Sequence, residues 1–177
     1  MELTSLQLLK FFHRNDIYSI QQPTGAYYPV RKQITLTEIE RHKRGEITLG
    51  AYCLNKDETC RWACVDLDGK DLLKMRKEAQ QIFKLIEIKD LVKGKMIEFS
   101  GRRGYHVWVF FKEPVPAPLA QKYLKARLTQ LNLSFYEVFP KQTQLTGKGY
   151  GNLVKLPMAL HRKSNRYSKI ITLEGEI

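Results

Sequence analysis

The sequence predicts an α+β fold: an antiparallel split βαβ sheet of the ferredoxin-like (RRM-like) kind, an additional N-terminal α/β layer, and a cleft between them. Three observations carry this. From Thr59 onward the periodicities run strand, helix, hairpin, helix, strand, which is the order of a split βαβ unit. Two long segments place their apolar residues on one helical face each, so both can cover one side of a sheet and leave the other side free. The chain before Thr59 alternates short strands with short helices, and this supplies the second layer. At 177 residues the whole is expected to be one compact body, roughly 1–58 forming the N-terminal part and 59–177 the split sheet.

The elements follow in order. Ser5 to Arg14 carries Leu6, Leu8, Leu9, Phe11 and Phe12 at helical spacing, with Thr4 or Ser5 as cap. Asp16 to Gln21 and Ala26 to Arg31 read as strands joined at Pro23-Thr24-Gly25. Thr37 with Glu40 suggests a capping box for a helix ending at Gly45. Ile47 to Leu54 is a strand interrupted by Gly50, and the next strand ends at Asp68. Asp71 caps the longest helix, whose face holds Leu72, Met75, Ala79, Ile82, Phe83 and Ile86. Met96 to Ser100 and Tyr105 to Phe111 flank a GRRG turn. A second helix begins at Pro116 and Pro118, with Leu119, Tyr123, Leu124, Leu128 and Leu131 on its face. Ser134 to Phe139, Leu153 to Leu156 and Tyr167 to Leu173 complete the strands.

Thirty Lys and Arg against eighteen Asp and Glu give a net charge of +12, which points to a polyanionic partner. No long apolar run, signal-peptide pattern or lipidation site accompanies that charge, so a membrane surface is not expected to be the partner. Cys53, Cys60 and Cys64 lack the close pairing of zinc ligands and are expected to be buried, reduced thiols of a cytoplasmic protein.

Chemistry concentrates in four places. In the strand ending CVDLDGK, Asp66 and Asp68 share a face at the sheet's rim. Paired carboxylates repel unless a cation lies between them, so the pair suits Mg²⁺; the plain alternative is two solvated residues before a turn. In FSGRRGYHVW, Gly101 and Gly104 permit a tight backbone, Ser100 supplies a hydroxyl, Arg102 and Arg103 supply charge, and His106 returns on the next strand. That set suits a triphosphate, although a solvated hairpin and a core histidine fit the same residues. In FYEVF, Glu137 stands among apolar neighbours on an expected central strand, where a charge needs a partner. An edge strand with Glu137 in water is the alternative, and Glu98, on the same strand face as Ser100, is the rival third carboxylate. The segment Pro140 to Lys163 combines Lys141, Gln142, Lys148, Asn152, Lys155, His161 and Arg162 with three glycines, and it reads as a nucleotide-phosphate and template surface.

Together DLD at 66–68, SGRRGYHVW at 100–108 and the strand acid before FPKQ resemble the three motifs of the archaeo-eukaryotic primase superfamily. The likeness extends to primase-polymerases of bacterial mobile and defence systems, including CRISPR-associated ones, through Phe139–Gln142 and Gly151–Pro157. The resemblance implies template-directed nucleotidyl transfer by two Mg²⁺ or Mn²⁺ ions held by Asp66, Asp68 and Glu137. It places Ser100, Arg102, Arg103, Gly104 and His106 at the incoming nucleotide, joined by Lys141, Gln142, Asn152, Lys155, His161 and Arg162. Nucleoside triphosphates and a single-stranded DNA or RNA template with its primer would be the partners. Many members carry Asp where this chain has Glu137, and many append a helical or zinc-bearing module, so further domains or proteins of a larger system are expected partners. A non-catalytic single-strand-binding domain and a metal-dependent nuclease are the rival readings. The first leaves three carboxylates without a purpose, and the second leaves the SGRRGYH element unexplained.

Overall fold

The computed structural model describes residues 2–147 and 149–177. Lys148, one of the expected basic contacts, lies outside the described residues. Two antiparallel sheets face each other. The first has strand order β2-β1-β3-β8, from β1 (Tyr18–Gln21), β2 (Tyr27–Val30), β3 (Leu49–Tyr52) and β8 (Leu153–Lys155). The second has order β11-β5-β6-β4-β7, from β4 (Thr59–Asp68), β5 (Val92–Phe99), β6 (Gly104–Pro116), β7 (Glu137–Phe139) and β11 (Lys169–Gly175). Strands β4 and β5, joined through α3 (Leu72–Leu85), lie on either side of β6, and α4 (Ala117–Gln130) leads from β6 to the β7 edge.

Side-chain alternation along β6 assigns the two faces. Phe111 meets Tyr123 of α4 edge-on, whereas Trp108 and Phe110 meet Phe11 of the N-terminal layer at 5.2 and 5.3 Å between ring centroids. Helices therefore cover the odd-numbered face and the N-terminal layer covers the even-numbered one. Trp62 of β4 joins this aromatic core, its indole N–H donating to the Phe11 carbonyl at 2.7 Å. The even face continues past that core to His106 and Asp66, so the layer that buries Trp108 also walls the acidic strand end.

Several expectations change in detail. Helix α1 spans only Ser5–Leu9, capped by Thr4, because Phe11 leaves the helix to wedge between the layers. Helix α2 (Leu36–Lys43) is boxed by Thr35 and Glu38, not by Thr37 and Glu40: the Thr35 amide donates to Glu38 Oε2, while Glu40 takes the Ser5 hydroxyl. Leu119 is exposed, and α4 buries the smaller Ala117 and Ala120 in its place, with Leu124 and Leu128 as expected. Strand β7 is the sheet's edge, not a central strand, and it is shorter than expected. A small hairpin, β9 (Leu160–His161) and β10 (Arg166–Tyr167), was not foreseen. All three cysteines are free and buried. Among the described residues no helix is long and apolar enough to cross a membrane.

Candidate active site

Register across the second sheet draws one row of polar side chains from four strands. Glu98 of β5 pairs with His106 of β6, His106 with Asp66 of β4, and Asp66 with Glu137 of β7. Residues directly opposite one another on adjacent strands project from the same face. The row therefore runs from the buried middle of the sheet to its exposed edge, and its members differ in solvation accordingly.

Glu98 is fully buried. One carboxylate oxygen accepts from Trp108 Nε1 at 3.0 Å and pairs with His106 Nδ1 at 2.9 Å, and the other meets Lys155 Nζ at 3.4 Å. Burial opposes its charge, but the Lys155 ammonium and the His106 imidazole outweigh that and hold its carboxyl at about 2. Glu98 is therefore engaged with three protein partners and directs the His106 ring, whose Nε2 lies 3.7 Å from Asp66 Oδ1. His106 is a buried histidine satisfied by Glu98, and it also lines the cleft.

Burial pushes the Asp66 carboxyl above its ordinary value; His106 pulls it back, and Asp68 and Glu137 push it further up. Asp68 pairs with Arg103 at 2.6 Å, and Glu137, 57% exposed, pairs with Lys141 at 2.6 Å. Thus Asp66 is crowded by two neighbouring carboxylates that already carry counter-cations. Among the described residues no three His, Cys, Asp or Glu side chains are gathered tightly enough to form a ready metal cage. The donor set nevertheless fits a hard divalent cation. It is all oxygen, it is crowded, and its central member is destabilised as a bare anion.

A cleft of about 240 Å³ opens between the sheets over Asp66 and Asp68. Ser100, Arg102, Arg103, His106, Lys155 and His161 line it, as do Gln21, Tyr27, Phe139, Leu153 and Val154. The GRRG loop is fixed from behind. Gly101 has φ +91°, and a Cβ there would lie 2.9 Å from the Arg166 carbonyl oxygen, so the loop packs directly on the β9–β10 hairpin and brings His161 alongside. The Ser100 amide is spent on the Gly104 carbonyl, and the Gly69 amide donates to the Arg103 carbonyl, tying the loop to the end of β4. Gly104 faces Asp68 across the ladder, where a Cβ would collide with the Leu67 carbonyl oxygen. Burial lowers the pKa of His161, and Lys155 and Arg102 lower it further, which marks this wall as cationic.

Eight of the expected residues thus line one cleft: Asp66, Asp68, Ser100, Arg102, Arg103, His106, Lys155 and His161. Glu137 stands beside it through its register with Asp66, with Lys141 attached. Gln142 and Asn152 line a separate hollow with Leu145 and Tyr150, and Arg162 is half-buried at the tip of the β9–β10 hairpin. Gln21 and Tyr27 were not foreseen. The one available signal was Gly50, since an isolated strand glycine marks a close approach, and the Tyr27 ring lies against it.

Residues 10–176 match the family described as the archaeo-eukaryotic primase domain of the TOTE conflict system. No curated protein matches the chain. Among solved structures, it is similar to the primase domain of the cyanophage S-2L primase-polymerase, with a TM-score of 0.57 and 15% identity over 97% of this chain and 88% of that one. It is also similar to the polymerase domain of Mycobacterium tuberculosis Ligase D, solved in complex with DNA, with a TM-score of 0.44 and 14% identity over 94% and 70% of the two chains. The cyanophage likeness is one of fold.

Proposed function

Because this chain belongs to the archaeo-eukaryotic primase domain family of TOTE conflict systems, we propose that its cleft transfers nucleotidyl groups from nucleoside triphosphates to a primer strand, directed by a template. The observation that carries the reading is the opposition of Asp66 and Asp68 to Arg102, Arg103, Lys155 and His161 within one cleft. Clustered acids alone would suit a cation and clustered bases alone an anion. Side by side, they suit a metal-bound triphosphate. The reading takes the β4–β7 unit as an RRM-like catalytic sheet and the facing sheet as the wall that closes the nucleotide in.

Asp66, Asp68 and Glu137 would hold two Mg²⁺ or Mn²⁺ ions. Bound there, such ions supply Lewis-acid stabilisation of the phosphates and lower the pKa of the attacking 3′-hydroxyl. Arg103 and Lys141 exchange a carboxylate for a phosphate oxygen as the nucleotide enters, which leaves Asp68 and Glu137 free. Arg102, Lys155 and His161 neutralise the triphosphate, and Ser100 offers its hydroxyl beside them. His106, steered by Glu98, presents Nε2 to the Asp66 edge of the cleft and fixes the geometry there. Gln142 and Asn152 lie off the cleft and serve the template side, and the remaining positive charge guides the polyanionic strands inward.

Incubating the protein with a primed single-stranded template, Mg²⁺ or Mn²⁺ and labelled nucleotides tests this. Extension of the primer, or a dinucleotide made without one, is expected. Shortening of the template instead would indicate a nuclease, and binding with no change in either strand would indicate a non-catalytic binder.

A further inference from the structure

The wall opposite the acidic row contains a polar group with nothing to bind. Gln21 and Tyr27 are register partners across the β1–β2 hairpin, so both side chains project from one face, and both line the cleft. Gln21 is only 9% exposed, its backbone N–H donates to the Thr48 carbonyl at 2.8 Å, and among the described residues its side-chain Oε1 has no hydrogen-bond partner. A buried acceptor left unpaired is costly, and this one belongs to a side chain that lines the cleft, where a donor on a bound ligand would satisfy it. Tyr27 is seated as firmly. A Cβ at Gly50 would lie 2.9 Å from the Tyr27 ring and 2.9 Å from Leu153 Cδ1, so the glycine is what lets the ring approach β3 so closely. Burial raises the Tyr27 phenol pKa, and the Glu98 carboxylate raises it further.

We propose that Gln21 and Tyr27 form the sugar subsite of the incoming nucleotide, with Gln21 Oε1 accepting a hydrogen bond from a sugar hydroxyl and the Tyr27 ring serving as its platform. The inference rests on the nucleotidyl-transfer reading and adds what that reading leaves open. A triphosphate carries acceptors, and the Arg and Lys wall already answers them. A base must keep its pairing edge for the template, and its other donors differ from base to base. The sugar hydroxyls are the donors common to all nucleotides, and a single acceptor can serve every one of them. A site built to bond a hydroxyl discriminates strongly against an analogue that lacks it.

The test is calorimetric binding of ATP, dATP, 2′,3′-dideoxy-ATP and inorganic tripolyphosphate with Mg²⁺, for the wild type, Gln21→Met and Gly50→Ala. Gln21→Met keeps the length and removes the acceptor. It is expected to weaken binding of the hydroxyl-bearing sugars roughly 5- to 30-fold, while leaving the dideoxynucleotide and tripolyphosphate unchanged. A loss confined to ATP assigns the 2′-hydroxyl, and a loss shared by dATP assigns the 3′-hydroxyl. Gly50→Ala displaces the Tyr27 ring and should weaken all three nucleotides but not tripolyphosphate, which also reports that the variant is folded. An equal loss for ATP and the dideoxynucleotide in Gln21→Met overturns the Gln21 assignment, and unchanged nucleotide binding in Gly50→Ala overturns the platform. A wild type that binds tripolyphosphate but no nucleotide better overturns the sugar subsite alone. One that binds none of the four overturns the nucleotidyl-transfer reading with it.

Discussion

Replacing Glu98 with Ala probes the buried end of the polar row. The change removes the acceptor of the Trp108 indole N–H, the partner of His106 Nδ1 and the counter-charge of Lys155, a side chain itself only 7% exposed. Breaking a buried ion pair by deleting one partner costs about 3–5 kcal/mol, and stranding a buried N–H costs about 1–3 kcal/mol. These effects share one carboxylate and do not simply add, so about 4 kcal/mol is expected for the single variant. For a chain of this size each kcal/mol moves Tm by about 2–4 °C, so Tm should fall by roughly 8–16 °C. Lys155→Met in the Glu98→Ala background removes the stranded ammonium, and the double variant should be more stable than the sum of the single losses by at least about 1 kcal/mol. Scanning calorimetry of the wild type, both single variants and the double variant at neutral pH measures the cycle. A Glu98→Ala protein melting within about 2 °C of wild type, or a double variant whose losses add, would refute the claim that Glu98 anchors the row.

Three further outcomes follow from the same structure. His42 is fully buried: its Nε2 bonds the Pro157 carbonyl, its Nδ1 takes the Leu49 amide, and burial lowers its pKa from 6.5 to about 4. The unfolded chain therefore takes up this proton first, and stability should fall by about 3 kcal/mol as pH drops from 6.5 to 4; urea unfolding across that range would be flat if the ring were free to ionise. Single-stranded DNA affinity should fall with salt at a log–log slope of roughly −3.5 for about five phosphate contacts, and a flat fluorescence titration would place the +12 charge away from the binding surface. Gly104→Ala should cost about 1–3 kcal/mol by driving a Cβ into the Leu67 carbonyl and parting β4 from β6 at Asp68; an unchanged Tm would contradict that close approach.

What the sequence disclosed and what it hid divide along local and non-local lines. The shared face of Asp66 and Asp68 follows from strand alternation alone, and the helix from Asp71 follows from its apolar spacing and cap. The second sheet's order is foreshadowed by the strand–helix–hairpin–helix–strand sequence. Cross-strand register has no local signature, so nothing in the sequence joined Glu98 to His106 and Lys155, although each residue drew notice separately. Nor could it: β8 pairs with β3 across about a hundred residues of chain, and only that pairing brings Lys155 to the cleft. The four apolar neighbours of Glu137 look the same on a central strand and on an edge, so the sequence leaves both placements open and only the pairing order makes β7 the edge. The Thr37–Glu40 box failed because Thr35–Glu38 offers the same spacing two residues earlier, and tertiary contact with Ser5 claimed Glu40. Tyr27 and Gln21 carried no motif of their own. Gly50 did mark the place, but a glycine tells that something comes close and not what.

The central claim is that Asp66 is the keystone of a nucleotidyl-transfer site, and the most direct measurement is primer extension by Asp66→Asn against the wild type with saturating nucleotide and Mg²⁺ or Mn²⁺. The substitution keeps the side chain's size and removes the charge at the crossing of β4, β6 and β7, so the fold should persist, with Tm at or above the wild-type value once carboxylate crowding is relieved. The account predicts extension by the wild type and a loss of about a hundred- to a thousandfold in the variant, the scale of rate lost with a single key electrostatic group. Wild-type protein that extends nothing, or an Asp66→Asn protein that extends at the wild-type rate, would contradict it.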